Sequence, residues 1–172
     1  VKNIEIDHIG NVWMEHFNRG VYRCKLEDDL SGFRNFTYYG GNSKDGLPYK
    51  LKLFKVGGRV VLLGDDHFYT YDDIEDKVVP NAVLDKCFAK INHIRQVIPI
   101  REHLFWVLGR SGVYLLSYDG YEASILDYYN LGMNLSLVYN SENISVLNDS
   151  LSLICLDNGF LLYGHSQQGG AA

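Results

Sequence analysis

A short pattern recurs four times along this chain at almost constant spacing. Gly-Val-Tyr, His-Phe-Tyr, Gly-Val-Tyr and Gly-Phe-Leu begin at Gly20, His67, Gly112 and Gly159, which are 47, 45 and 47 residues apart. Each copy is preceded by a tight turn and a short apolar run, as in "GRVVLLGDDHFY" and "EHLFWVLGRSGVY". Four copies at so regular a period indicate a repeat protein, in which one structural unit accounts for most of the sequence.

Each copy is predicted to be a meander of short antiparallel strands. A first strand leads into the tight turn, a second strand follows it, and a polar turn then leads to a third strand at the recurring pattern. The tight turns are expected at Ile9-Gly10, Gly57-Gly58, Arg101-Glu102 and Asn148-Asp149. A fourth, less regular strand is predicted near Phe33–Tyr38, Lys77–Val79 and Ile125–Tyr129.

The period and the strand count together predict the fold class. A period of about 46 residues with three or four strands and no helical periodicity is typical of β-propeller blades. The runs "VVLL" and "LFWVL" are continuously apolar, as expected for strands that are buried on both faces between neighbouring blades. A sandwich or an irregular barrel would not require such regular spacing. We therefore predict an all-β fold of about four antiparallel blades.

Four blades either close a small ring or belong to a larger propeller, since rings of roughly six to eight blades are more common. The blades are expected at residues 1–40, 41–85, 86–132 and 133–164, with a polar linker or tail at 165–172. Because the chain begins at Val1 inside a predicted strand, we expect it to be a piece of a longer or processed protein. Open strand edges at the two ends of such a piece would favour a homodimer.

Charge and cysteine content narrow the classes of function. The net charge of −5 argues against a nucleic-acid surface, which normally carries a basic excess. Cys24, Cys87 and Cys155 are far apart in the sequence, which argues against a disulfide framework or a zinc site. All three are expected to be small buried apolar residues.

No sequence motif for catalysis is apparent. The six histidines lack metal-binding spacing, and there is no nucleophile elbow, phosphate loop or dinucleotide fingerprint. Carboxylates are adjacent at Asp65-Asp66 and Asp72-Asp73, but a glycosidase would need two of them converging across a cleft. We expect no catalytic residue, no metal and no cofactor.

The first copy, "IDHIGNVWMEHFNRGVYR", resembles the repeat of two-component-regulator propellers. In that repeat, Asp-x-x-Gly-Asn-x-Trp is followed after a few residues by Gly, Val or Leu, often Tyr, and Arg. The matching residues are Asp7, Gly10, Asn11, Trp13, Gly20, Val21, Tyr22 and Arg23. "DGLP" at Asp45–Pro48 is similar to the Gly-Leu-Pro that precedes the next blade in the family, and "FYTYDD" and "NDSLSLICLDNGFLLY" resemble its closing blades. The second and third copies lack the Asn and the Trp at the corresponding places.

This resemblance implies the extracytoplasmic, periplasmic sensor of a membrane-spanning regulator from Bacteroides-type bacteria. Such a sensor is followed by a triple-tyrosine domain, a membrane helix and either a histidine-kinase or a helix-turn-helix module that regulates transcription. The implied role is signal detection, often of an oligosaccharide, without catalysis. Two alternatives remain open: a propeller scaffold for protein–protein contacts, and a glycan-active enzyme. The spacing Asp7-x-x-Gly10-x-x-Trp13 is similar to the Asp-boxes of sialidases, which are structural turns.

A ligand site in a propeller is expected where the turns between second and third strands meet the loops between blades. Tyrosine and polar side chains there suit sugar recognition by stacking and hydrogen bonding. The candidate residues are His16, Asn18, Arg19, Tyr38, Tyr39, Asn42, Asp66, His67, Arg110 and Asn158. Trp13 and Trp106 are expected to fill space between blades, and they need not share one position. Gly20, Gly112 and Gly159 are predicted to be turn residues with positive φ.

Overall fold

The computed structural model contains four antiparallel sheets and one short helix, which confirms the predicted all-β fold of propeller blades. The chain divides into two compact units, Val1–Ala89 and Lys90–Ala172, each with two sheets. The structure describes residues 1–17, 19–41, 46–65, 67–91, 93–110, 112–130, 144–156 and 159–164. The predicted tail at 165–172 lies outside the described residues.

The first unit contains two four-stranded meanders, each with its strands in chain order. The first sheet consists of β1 (Asn3–Ile6), β2 (Asn11–His16), β3 (Gly20–Leu26) and β4 (Phe33–Tyr39). The second consists of β5 (Lys52–Val56), β6 (Arg59–Gly64), β7 (His67–Asp72) and β8 (Lys77–Pro80). Adjacent strands are antiparallel throughout, as tight turns between consecutive strands require.

The second unit repeats this arrangement. The third sheet consists of β9 (Gln96–Arg101), β10 (Leu104–Leu108), β11 (Gly112–Tyr118) and β12 (Ala123–Asn130). Within the described ranges the fourth sheet has three strands, β13 (Ile144–Asn148), β14 (Leu151–Leu156) and β15 (Gly159–Gly164). The predicted fourth strands of the first three blades are confirmed as β4, β8 and β12. The turns predicted at Arg101-Glu102 and Asn148-Asp149 lie one residue later.

A helix, α1 (Ala82–Phe88), follows β8 and was not predicted. The Asn81 side chain caps it by accepting a 3.0 Å hydrogen bond from the Leu84 amide. Phe88 packs on Phe68 of β7 with ring centroids 4.5 Å apart. Seven residues are too few to show helical periodicity, although Pro80-Asn81 is a recognisable start. No helix among the described residues is long and apolar enough to cross a membrane.

The core of the first unit lies between its two sheets and is centred on Trp13, which is fully buried. The indole stacks on Tyr39 of the first sheet at 5.5 Å and meets the edge of Tyr71 of the second at 5.3 Å. Leu47, from the "DGLP" segment, is 7% exposed and belongs to the same core. This apolar contact explains why a leucine stands in the connection between the two blades.

In the second unit, Trp106 has the corresponding place in the core between the two sheets. It is fully buried, meets the edge of Tyr163 at 4.9 Å, and lies 6.5 Å from Tyr129. Its indole N–H donates a 3.0 Å hydrogen bond to the Ser152 hydroxyl of the fourth sheet. The predicted role of both tryptophans as fillers between blades is therefore confirmed.

Trp106 stands at the strand position of Trp13, so the prediction that the third copy lacks the motif tryptophan at the corresponding place is wrong. Trp13 pairs with the fourth residue of β3, Arg23, and Trp106 pairs with the fourth residue of β11, Leu115. Their one-residue offset in sequence arises in the hairpin turn. His16 pairs with Gly20 across the first turn, whereas the Gly109 amide bonds the Gly112 carbonyl across the second. One extra turn residue thus leaves the strand positions equivalent.

Two further expectations need correction. Gly20 and Gly159 have positive φ, but Gly112 does not. Gly112 is required for space, because a Cβ there would lie 2.3 Å from the Tyr129 carbonyl oxygen. Among the cysteines, Cys24 is buried, whereas Cys87 and Cys155 are half-buried.

Candidate functional site

Aromatic side chains gather at one end of the first sheet, where the β2–β3 turn meets the connection after β4. The imidazole of His16 lies 6.5 Å from the ring of Tyr22, and Tyr22 lies 5.1 Å from Tyr38. The Tyr38 hydroxyl donates a short hydrogen bond to the backbone carbonyl of Arg19. We call His16, Arg19, Tyr22, Tyr38 and Tyr49 the aromatic platform.

Register explains why the tyrosines of the platform meet. Tyr22 of β3 and Tyr38 of β4 are directly opposite each other in the antiparallel ladder, so their side chains leave the sheet on the same face. Such cross-strand aromatic pairs stabilise a sheet and limit the movement of both rings. The hydrogen bond to Arg19 then ties the ring of Tyr38 to the β2–β3 turn.

Glycines allow the chain to approach the platform closely. A Cβ at Gly20, whose φ is +95°, would lie 2.3 Å from the Tyr39 carbonyl oxygen, and one at Gly40 would strike the Tyr38 hydroxyl. A Cβ at Gly41 would lie 2.8 Å from Tyr49, so Tyr49 packs directly on the backbone after β4. The platform is therefore held by backbone contacts, which makes it preorganised for binding.

The platform combines fixed and accessible parts. Tyr22 and Tyr38 are half-buried, whereas His16 and Arg19 are exposed and Tyr49 is 52% exposed. Phe17, next to His16 in the same turn, is 66% exposed. An exposed group of aromatic rings with fixed geometry is more typical of a binding surface than of an ordinary solvated turn.

The electrostatic surroundings of Tyr38 distinguish it from the other partly buried tyrosines. Burial raises the pKa of Tyr38, the Tyr22 and Tyr49 hydroxyls raise it further, and the Arg19 guanidinium lowers it in part. Burial also raises the pKa of Tyr69 and of Tyr129, but there carboxylates add to the effect. Among these three tyrosines, Tyr38 is therefore the one whose pKa a cation lowers in part.

The structure brings together three of the predicted site residues, His16, Arg19 and Tyr38. Tyr39 is 3% exposed and packs on Trp13 in the core, so we leave it out of the platform. His67 contacts the Asp85 carboxylate of α1 at 3.1 Å. Arg110 is exposed in the second unit. Four predicted site residues lie outside the described part of the chain: Asn18, Asn42, Asp66 and Asn158.

Sequence reasoning missed Tyr22, Tyr49 and Phe17. Tyr22 was assigned only to the start of the third strand, although the cross-strand register that pairs it with Tyr38 follows from the hairpin lengths. Tyr49 stands in the connection between β4 and β5, which in sequence also contains the predicted site residue Asn42. Its inclusion depends on the chain folding back onto Gly41, which no local pattern predicts.

The third sheet contains a related pair. Tyr114 of β11 and Tyr128 of β12 are opposite each other and stack at 4.5 Å, in the strand positions of Tyr22 and Tyr38. In the first sheet, exposed His16 lies opposite Gly20, the first residue of β3. In the third sheet, Gly109 takes this position, opposite Gly112 at the start of β11. The third sheet therefore carries no imidazole at this strand position.

Metal binding finds no support in the part of the chain that the structure describes. No group of three or more His, Cys, Asp or Glu side chains there could hold a metal ion. The side chains of the aromatic platform can stack, donate and accept hydrogen bonds, and supply one positive charge.

Comparison with known proteins identifies the fold. No family model matches the sequence, and no curated protein shows a significant match. Two solved structures are similar. One is YCF48 bound to D1 peptide, with a TM-score of 0.55 and 12% identity over 96% of this chain and 51% of that one.

The second is described as the extracellular domain of the one-component system BT4673 from B. thetaiotaomicron. It has a TM-score of 0.50 and 14% identity over 92% of this chain and 20% of that one. At these identities the likeness shows a common fold. The chain spans about half of the first relative and a fifth of the second.

Proposed function

We propose that this chain is the ligand-binding part of an extracytoplasmic sensor propeller in a membrane-spanning regulator. The observation that carries the proposal is the aromatic platform, whose exposed Tyr49 and His16 stand beside rings fixed by the Tyr38–Arg19 hydrogen bond. A sensor needs a preorganised surface that takes a ligand without converting it. We assign no catalytic role to this segment.

Kinship with two-component-regulator propellers is supported by the packing of the motif residues. Trp13 of the motif is the centre of the core between the first two blades, and Leu47 of the Gly-Leu-Pro segment packs into the same core. The fold shared with a Bacteroides extracellular domain is consistent with this family. The periplasmic location, triple-tyrosine domain, membrane segment and transcriptional output belong to the same proposal.

An oligosaccharide is the ligand that we propose for the platform. Aromatic rings offer a flat apolar surface to the C–H face of a sugar ring, and the surrounding hydroxyl and guanidinium groups can bond its oxygens. A scaffold for peptide or protein partners is the second candidate. It is favoured by the exposed Phe17 and by a structural relative that carries a bound peptide.

A glycan array probed with the labelled 172-residue chain tests this proposal. Retained glycans should raise the melting temperature of the chain, and Tyr49→Ala should abolish that rise. Tyr121, which is 82% exposed on the β11–β12 turn, provides the control Tyr121→Ala, which should leave the rise intact. If the chain retains no glycan but binds members of a peptide library, the scaffold function replaces the sensor function.

A homodimer through open strand edges stays a prediction. Analytical ultracentrifugation of the chain over a concentration series would detect it. A single monomeric species at every concentration would rule the dimer out.

A further inference from the structure

The outer face of the first sheet, on the side away from Trp13, is apolar and partly exposed. Cross-strand pairing places one row of side chains across it, formed by Ile4, Met14, Tyr22 and Tyr38. A second row runs from Ile6 through Val12 to Cys24. Ile4 is 56% exposed and Ile6 is 50% exposed, so water reaches this apolar surface.

The charged side chains of the first sheet lie on its other face. Glu5 and Arg23 stand in the row of Trp13, and Glu15 accepts a 3.0 Å hydrogen bond from the Leu53 amide of the second sheet. Among the described residues of β1 to β4, every Asp, Glu, Lys and Arg belongs to this side. In an antiparallel sheet with one solvated face, the solvated face is normally the polar one. The outer face therefore has the composition of a surface that is covered in an assembly.

The outer face of the fourth sheet, on the side away from Trp106, has the same character. Leu153 pairs with Leu162, and Cys155 pairs with Phe160. Phe160 is 71% exposed and Leu162 is 54% exposed. The structure describes β13, β14 and β15 completely, and these strands contain no Asp, Glu, Lys or Arg. This second surface is also apolar and uncharged.

Inside each unit, two unlike faces of neighbouring sheets pack together. In the first unit, the first sheet contributes the face with Trp13, and the second contributes Tyr69, the third residue of β7. In the second unit, the third sheet contributes the face with Trp106, and the fourth contributes Leu161, the third residue of β15. In both units the tryptophan side of the earlier sheet thus packs on the opposite side of the later sheet.

The two exposed apolar faces are one of each kind. Leu153 pairs with the fourth residue of β15, as Trp13 pairs with the fourth residue of β3, so it marks the tryptophan side of the fourth sheet. Tyr22 is the third residue of β3 and corresponds to Tyr69, so it marks the opposite side of the first sheet. One copy of the chain therefore carries both halves of a blade contact.

We propose that a second copy of this chain docks by packing the outer face of its first sheet on the outer face of the fourth sheet. Removal of both apolar surfaces from water drives this contact. Because the two faces differ, the contact is heterologous, and each copy can bind one partner through each face. It differs from the pairing of strand edges, in which backbone groups meet. Arg19 and Tyr49 lie in turns outside both faces, so the inference goes beyond the proposed sensor function.

Sedimentation velocity of the 172-residue chain over a concentration series tests the docking. We expect reversible association, which Ile4→Glu on the first sheet and Leu162→Glu on the fourth should each remove, because each buries an unpaired charge in the contact. Ile74→Glu adds the same charge at an isoleucine that is 95% exposed in the turn after β7. This control should associate like the parent chain.

A mixture of the two variants separates unlike from like contacts. Ile4→Glu keeps an intact fourth-sheet face, and Leu162→Glu keeps an intact first-sheet face. An equimolar mixture should therefore form a heterodimer with one copy of each, although neither variant associates alone. Association of either variant by itself, or a mixture that stays monomeric, would overturn the proposal.

Thiol labelling gives a second readout that does not depend on a substitution. Cys155 is half-buried on the outer face of the fourth sheet, and Cys87 is half-buried on α1. Mass spectrometry of the labelled parent chain should show that modification of Cys155 slows as the chain concentration rises, while modification of Cys87 does not. A monomer at every concentration with an unchanged Cys155 rate would overturn docking by a second copy and would favour a further blade or another protein as the occupant.

Discussion

The indole N–H of Trp13 donates a 2.8 Å hydrogen bond to the carboxylate of Asp7, at the turn that begins the second strand. The same carboxylate accepts bonds from the amides of Ile9 and Asn11 and from the Asn11 side chain. One buried carboxylate thus closes the β1–β2 turn and orients the tryptophan on which the two blades pack. This explains the spacing Asp-x-x-Gly-x-x-Trp as architecture.

Asp7→Ala should destabilise the first unit by about 2 to 4 kcal/mol, because it leaves several donors, including the buried indole N–H, without an acceptor. Urea unfolding of the variant and the parent measures the difference. Asp29→Ala, at an exposed carboxylate that also closes a turn, is the control and should change stability far less. Equal effects at the two positions would contradict this role of Asp7.

The stabilisation by Asp7 should depend on pH. Burial by itself would raise the pKa of Asp7, but the hydrogen bonds from Trp13, Asn11 and Ile9 lower it below its usual 3.8. A lowered pKa means that the ionised form stabilises the fold above pH 3.8 and that this contribution is lost as the pH falls through the lowered value. The stability difference between the parent and Asp7→Asn should therefore shrink below about pH 4. A constant difference from pH 6 to pH 2.5 would contradict the assignment.

The two tryptophans allow a direct comparison of hydrogen-bond partners. Trp13→Phe removes a bond to a carboxylate, and Trp106→Phe removes a bond to the Ser152 hydroxyl. Bonds to charged groups contribute more than neutral ones, so Trp13→Phe should cost about 1 kcal/mol more than Trp106→Phe. Chemical unfolding of both variants provides the values. A larger loss at Trp106 would show that packing, rather than the hydrogen bond, dominates.

Close approach, rather than turn conformation, should decide the effect of a substitution at Gly112. Gly112→Ala would place a Cβ 2.3 Å from the Tyr129 carbonyl, so we expect a loss of about 2 kcal/mol or more. Gly32→Ala, where a Cβ has open space, should be nearly neutral. Thermal unfolding of the two variants tests the contrast. Similar melting temperatures would contradict the packing around β12.

The Tyr163 hydroxyl should resist ionisation. Burial raises its pKa above the usual 10, and the hydrogen bond to the Asp127 carboxylate at 2.9 Å raises it further. Because the neutral form is favoured in the folded state, this contribution to stability is present below pH 10 and is lost as the pH rises through the raised value. Ultraviolet titration should show Tyr163 ionising at a pH above 10. The difference between the titrations of the parent chain and Tyr163→Phe identifies this step, and a step at pH 10 or below would contradict the structure.

The fold was predictable because each copy of the repeat contains its own turn residues and its own apolar strand runs, which can be recognised locally in the sequence. Strand ends follow from Gly57-Gly58 and from the runs "VVLL" and "LFWVL", each of which is buried as its apolar continuity indicates. The helix after Pro80 was not predictable from periodicity, because its apolar contacts are supplied by another strand. Propensity is a weak guide where tertiary packing decides.

The candidate site was only partly predictable for the same reason. His16, Arg19 and Tyr38 lie in turn and strand-end positions that a propeller presents, and they were selected on that basis. Tyr39 was selected with Tyr38, but adjacent strand residues face opposite sides, and Tyr39 faces the core. The contribution of Tyr49 depends on a return of the chain to Gly41, which is a tertiary contact.

The central claim, that the aromatic platform binds a saccharide, is tested most directly by titrating the isotopically labelled chain with an oligosaccharide that the glycan array retains and following backbone amide shifts by NMR. We predict saturable shifts concentrated at Arg19, Tyr22, Tyr38 and Tyr49, which Tyr49→Ala reduces and Tyr121→Ala does not. Unchanged spectra at millimolar ligand, or shifts centred on residues away from the β2–β3 turn, would contradict it.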